Sequence, residues 1–125
     1  MTGPIVFIVS EDTQIRQSVK GLVESVGLQA ATFATLQALL DGQEPEAHGC
    51  LVFYSQDNIP GDQTQQAQLT AACAGRPGIL ILERGNVPMA VFALKAGITD
   101  VVQKPYRDKD LLEQILKALE VNTTA

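Results

Sequence analysis

The chain has 125 residues, enough for one domain with a full hydrophobic core. Its 46% hydrophobic and 18% charged residues exclude a disordered composition. A formal net charge of -5 argues against a surface that tracks a phosphate backbone, and no apolar run approaches membrane-spanning length.

The opening residues, MTGPIVFIVSED, lack the basic leader of a signal peptide. Residues 4–9 (PIVFIV) are apolar and β-branched, too short for a helix, and read as a central strand. Ser10, Glu11, Asp12 and Thr13 follow as a polar cluster with helix-capping residues. Ile15, Val19, Leu22, Val23 and Val26 recur at helical spacing, with Gly27 as the stop. Residues 28–33 form a weaker strand, expected towards a sheet edge, and Thr35 caps a short helix carrying Leu36, Leu39 and Leu40.

Pro45 breaks the loop before residues 50–54 (CLVFY), a second strand apolar on both faces. It runs into a polar loop closed by Pro60 and Gly61. A Gln-rich patch over residues 56–68 reads as loop and solvated helix face, with a helix over 62–74. Arg76, Pro77 and Gly78 make a turn, and residues 79–82 (ILIL) a further buried strand. Pro88 suits the first turn of a helix that ends at Gly97. Residues 99–103 form the fifth strand, and Asp108 caps a final helix with Leu111, Leu112, Ile115, Leu116 and Leu119.

Strands alternating with helices of this length imply an α/β fold: a doubly wound, five-stranded parallel sheet with helices on both faces. One domain over residues 1–121 is expected, with 122–125 as a tail or truncated linker. Cys50 and Cys73 stand apart from any Cys or His cluster, so neither disulfides nor zinc are suggested and a reduced, cytoplasmic setting fits. Function does not follow from this architecture, which hosts many activities.

Short motifs in chain order narrow the reading. They are Val9-Ser10-Glu11-Asp12 with Arg16, then Gly49-Cys50-Leu51-Val52, then Gly85-Asn86-Val87-Pro88-Met89-Ala90-Val91 with Ala93-Leu94-Lys95-Ala96-Gly97, and last Lys104-Pro105-Tyr106. Together they resemble the receiver domain of bacterial two-component response regulators, closest to the FixJ type that usually precedes a LuxR-like DNA-binding domain. The resemblance implies a flavodoxin-like sheet in strand order 2-1-3-4-5 and a cis peptide bond before Pro105.

The same resemblance locates the family's phosphorylation pocket, and most of its chemistry is missing. Two acidic magnesium-holding residues after the first strand fall on Ser10 and Glu11, with Asp12 adjacent. The phospho-acceptor aspartate falls on Tyr54, or on Gln56 when counted back from Pro60. The switch hydroxyl residue falls on Leu82 and the switch aromatic on Val101; only the lysine survives, as Lys104. Phosphoryl transfer needs a carboxylate nucleophile and a divalent ion with hard oxygen ligands. A phenol with a pKa near ~10 is a poor substitute. The chain thus reads as a degenerate, phosphorylation-independent receiver: a non-enzymatic signalling and interaction module, without metal or cofactor, attached to or evolved from a transcription regulator and regulating a transcription-factor output.

Plainer readings stand beside these. Glu11, Asp12 and Lys104 can form a solvated ion pair, Tyr54 can fill the vacated pocket with its ring, and the cysteines can be small apolar residues. Asp57 is an alternative acceptor, though three extended residues place it up to ~10 Å beyond Tyr54. A small-ligand or nucleotide-binding flavodoxin-like domain is the third alternative, disfavoured by the acidic SEDTQ where phosphate would sit. The expected interface lies on the fourth helix and fifth strand, formed by Met89, Phe92, Lys95, Val101 and Tyr106, with Val91, Leu94 and Ile98 facing the core. It would pair the chain with a second copy or a protein partner, with neither nucleic acid nor membrane bound directly.

Overall fold

The two apolar runs at residues 4–9 and 50–54 pair directly. β1 (Ile5–Ser10) lies parallel to β3 (Gly49–Tyr54), with Ile5 opposite Gly49 and Ser10 opposite Tyr54. The approach at its start is close: a Cβ on Gly49 would stand 1.7 Å from the Ile5 carbonyl oxygen. The computed structural model describes residues 3–42, 48–55 and 60–123. β2 (Gln29–Phe33) flanks β1, while β4 (Gly78–Leu82) and β5 (Asp100–Gln103) extend the sheet beyond β3. All pairs are parallel, and the order is β2-β1-β3-β4-β5.

Alternation along the strands divides the core. Val6 and Ile8 of β1, with Cys50, Val52, Ile79 and Ile81, face α1 (Thr13–Glu24) and α5 (Asp108–Thr123). Val19, Val23, Leu111 and Ile115 cover them. Phe7, Val9, Leu51, Leu80 and Leu82 face the opposite layer, made by α2 (Leu36–Gly42), α3 (Gln63–Cys73) and α4 (Val87–Ala96). Each fully buried aliphatic or aromatic side chain contributes about 1.5–3 kcal/mol.

Polar caps set the helix boundaries. Asp12 accepts from the Gln14 and Ile15 amides at the start of α1, Asp62 and Gln65 form a capping box on α3, and Asn86 caps α4. Gly97 ends α4 in the left-handed conformation at φ 112°, which a side chain would disfavour. At α5 the Arg107 carbonyl takes the first amides, so Asp108 is the first helical residue and not the cap. The helix continues to Thr123.

The structure corrects three packing expectations. Val26 lies past the end of α1 and is exposed, as is Leu116 on α5. In α4, Val91 and Leu94 are 43% and 52% exposed, whereas Met89, Ala93 and Ala96 are buried. That helix is apolar nearly all round (VPMAVFALKA), so periodicity could not choose its buried face. Arg76, read as a turn residue, is only 5% exposed: its guanidinium lies 4.6 Å from the Phe7 ring centroid and Nη2 donates to the Ala72 carbonyl.

Candidate functional site

The tips of β1, β3, β4 and β5 carry the residues that the sequence singled out. Tyr54 ends β3 and is 5% exposed, its ring packed into the core beneath α1 and α5. Its hydroxyl donates to Glu83 Oε1 at 2.5 Å. Glu83 is the first residue after β4, so the end of that buried strand aims the carboxylate at the phenol. Lys104, just past β5, is fixed by its own amide, which donates to the Leu82 carbonyl at 2.8 Å. Its ammonium donates to the Tyr54 hydroxyl at 3.3 Å, pairs with Glu83 Oε1 at 3.5 Å and lies 4.5 Å from the Tyr54 ring centroid. The Lys104–Pro105 peptide bond is cis.

Electrostatics keep this cluster in one protonation state near neutral pH. Burial raises the Tyr54 pKa, the bond to Glu83 raises it further, and Lys104 opposes both. The Tyr54 hydroxyl bond lowers the Glu83 pKa against slight burial, with Lys104 adding to the lowering. For Lys104, burial opposes the charge, but the Tyr54 hydroxyl and the Glu83 carboxylate outweigh it and raise the pKa. A neutral phenol therefore sits between an ionised carboxylate and an ammonium.

The other expected pocket residues are engaged in building α1. Ser10 Oγ accepts from the Asp12 amide at 3.0 Å, and the Ser10 carbonyl accepts from Arg16 Nη1 at 2.5 Å. Asp12 Oδ1 is occupied by the Gln14 and Ile15 amides. Glu11 is exposed. The expected pairing of Glu11 and Asp12 with Lys104 is not formed; the lysine's carboxylate partner is Glu83. Sequence reasoning missed Glu83, although its position as the first polar residue after ILIL was a usable signal. Leu82 is buried in the second core, and Gln56 and Asp57 lie outside the described residues.

A magnesium ion in the family's pocket does not fit these residues. Asp12 is turned to the helix backbone, Ser10 is hydrogen-bonded locally, and a buried phenol stands where a carboxylate ligand is needed. Among the described residues, no three His, Cys, Asp or Glu side chains are grouped to hold a metal ion.

The expected interface set is divided. Met89 is 1% exposed and cannot meet a partner. Phe92 and Val101 are half-buried against the second core, Tyr106 is half-buried against the first, and Lys95 is exposed. The open face of α4 consists instead of Val87, Val91 and Leu94, with Val87 65% exposed.

No protein-family model matches the sequence. The chain is 36% identical over 118 residues to the transcriptional regulatory protein TdiR of Thauera aromatica, covering 94% of this chain and 52% of that protein. It spans about half the length of the curated relatives it matches. Response regulator StyR superposes with a TM-score of 0.81 at 34% identity, over 98% of this chain and 62% of that one. A CheY-like response regulator receiver domain protein from Methanospirillum hungatei JF-1 gives a TM-score of 0.79 at 26% identity, over 98% of both chains.

Proposed function

We propose that this chain, whose relatives and structural neighbours are receiver domains of response regulators, is a receiver that signals without phosphorylation. The observation that carries this reading is Tyr54 at the tip of β3, buried and bonded through its hydroxyl to Glu83, with Lys104 over its ring. A carboxylate nucleophile is missing there, and the lysine already has an internal anion. Leu82 supplies no hydroxyl to follow a phosphoryl oxygen, and it is packed in the core. The domain acts by contact rather than catalysis, and its output is transcription.

The contact we assign is a second copy of the chain, docked on α4 and β5. Its centre is Val87, Val91 and Leu94, spaced four and three residues apart on one helix face, in place of the buried Met89 and half-buried Phe92. Sedimentation at matched concentrations should show a dimer that Leu94→Glu dissociates with little loss of folding stability. A wild type that stays monomeric into the high micromolar range contradicts the pairing.

The phosphorylation-independent reading is tested with magnesium and beryllofluoride, a phosphoryl mimic. A ligand that binds only the folded state at a hundred times its dissociation constant stabilises by roughly 2.7 kcal/mol. The melting temperature of this protein should not move. A magnesium-dependent rise would show a working pocket, with Asp57 as the first residue to replace.

A further inference from the structure

A cleft of about 260 Å³ opens at the tips of β1 and β3, between the starts of α2 and α3 and the inner side of α4. This is the crevice at the carboxyl ends of the strands, where open α/β sheets take ligands. Its lining joins buried Met89 and half-buried Phe53 and Phe92 to the exposed polar residues Glu11, Thr35 and Gln65. A hydrogen bond of 3.2 Å from Gln68 Nε2 to Gln37 Oε1 ties α3 to α2 along one wall.

The charge of this lining is one-sided. Among the described lining residues Glu11 is the one acidic side chain, and none is a lysine or arginine. Lys104 is paired with Glu83 at 3.5 Å and does not line the cleft. An anion would meet an uncompensated carboxylate there. The two partly exposed aromatic rings in the lining with that carboxylate suit a flat apolar body carrying a positive end, through apolar burial and cation–π attraction.

We propose that this cleft is a binding site for a small organic cation, an ammonium or amidinium group on a compact apolar body. Glu11 takes the charge, and Phe53 and Phe92 take the body. The bound cation would touch the inner side of α4, the helix whose outer side carries Val87, Val91 and Leu94. Ser10, Tyr54 and Ser55 also line the cleft, so the site rests on the reading that the β3 tip takes neither phosphate nor magnesium.

Amide NMR titration of the isotope-labelled protein with benzylamine tests the assignment. Saturable shifts should cluster at Glu11, Phe53, Gln68 and Phe92, with the roughly millimolar affinity that so small a probe allows. Benzyl alcohol, or benzylamine with Glu11→Gln, should bind about tenfold more weakly. Glu11 is exposed, so that variant keeps the fold, and its unchanged amide spectrum outside the cleft checks this. Shifts that do not saturate, or that scatter over α1 and α5, overturn the site. Equal binding of the amine and the alcohol overturns the assigned charge.

Discussion

Among the described residues two cations stack on aromatic rings, and their surroundings differ. Arg76 lies 4.6 Å from the centre of the Phe7 ring and is 5% exposed; Lys104 lies 4.5 Å from the centre of the Tyr54 ring with 31% of its side chain exposed. The distances are nearly equal, so the contact itself does not separate them. Arg76 is fastened to structure, through the Ala72 carbonyl at the end of α3 and the second core around Phe7. The thiols in its electrostatic reach are inert at neutral pH: burial pushes Cys50 up to about 12 and Cys73 up to about 11, with Arg76 only partly opposing. Lys104 is joined to titratable groups at the tips of the strands, half open to water. Burial turns one ion into a packing element and leaves the other at the partly exposed strand tips, held by a phenol and a carboxylate.

The largest expected difference is in stability. Arg76→Ala removes a buried stem and a stacked guanidinium and leaves the space empty, so it should cost about 2–4 kcal/mol in denaturant unfolding. A loss within experimental error of zero would erase the contrast. At the other cation, Tyr54→Asp removes the ring that fills the pocket and should cost about 1–3 kcal/mol. It should also fail to restore switching, because Leu82 and Val101 still occupy the switch positions. Phosphorylation regained in that single variant would show the pocket more intact than its neighbours suggest.

The smallest effect is electrostatic. The ion pair of Lys104 and Glu83 is exposed and screened, so Glu83→Gln should cost at most about 1 kcal/mol at neutral pH. Its signature lies in the pH dependence. The Tyr54 hydroxyl bond holds the folded-state Glu83 pKa below the usual carboxylate range, so its stabilisation is present above the ordinary glutamate pKa and lost as pH falls through the folded value. Tyr54 is raised above 10.0, so its contribution is present below that value and lost as pH rises through the folded pKa. Unfolding of wild type and Glu83→Gln should therefore converge in acid. Parallel curves at all pH values would remove Glu83 from the cluster.

Legibility in the sequence followed the strength of each local pattern. The strands were plain because PIVFIV, CLVFY and ILIL are short β-rich apolar runs, and they form β1, β3 and β4. The two helices over the first core were legible from spaced apolar residues, apart from Val26 and Leu116 at the edges of that pattern. The inner side of α4 was not, because eight of its ten residues, VMAVFALA, are apolar, and only packing distinguishes Met89 from Val91. At the candidate site, Tyr54 stood out by its place at the tip of CLVFY, while Ser10 and Lys104 were singled out by the resemblance to receivers. Glu83 was not, because its partner is 29 residues earlier in the chain and no spacing rule links them. Arg76 was missed for a related reason: a turn-like RPG gives no sign that its guanidinium reaches back to a ring on β1.

The central claim is that the β3 tip, closed by Tyr54, Glu83 and Lys104, cannot take a phosphoryl group. Intact-mass measurement after incubation with acetyl phosphate and magnesium tests it most directly. The mass should be unchanged, under conditions that label a receiver with an aspartate at that place. A stable adduct of one phosphoryl group would contradict the account, and peptide mapping of it to Tyr54 or Asp57 would name the acceptor.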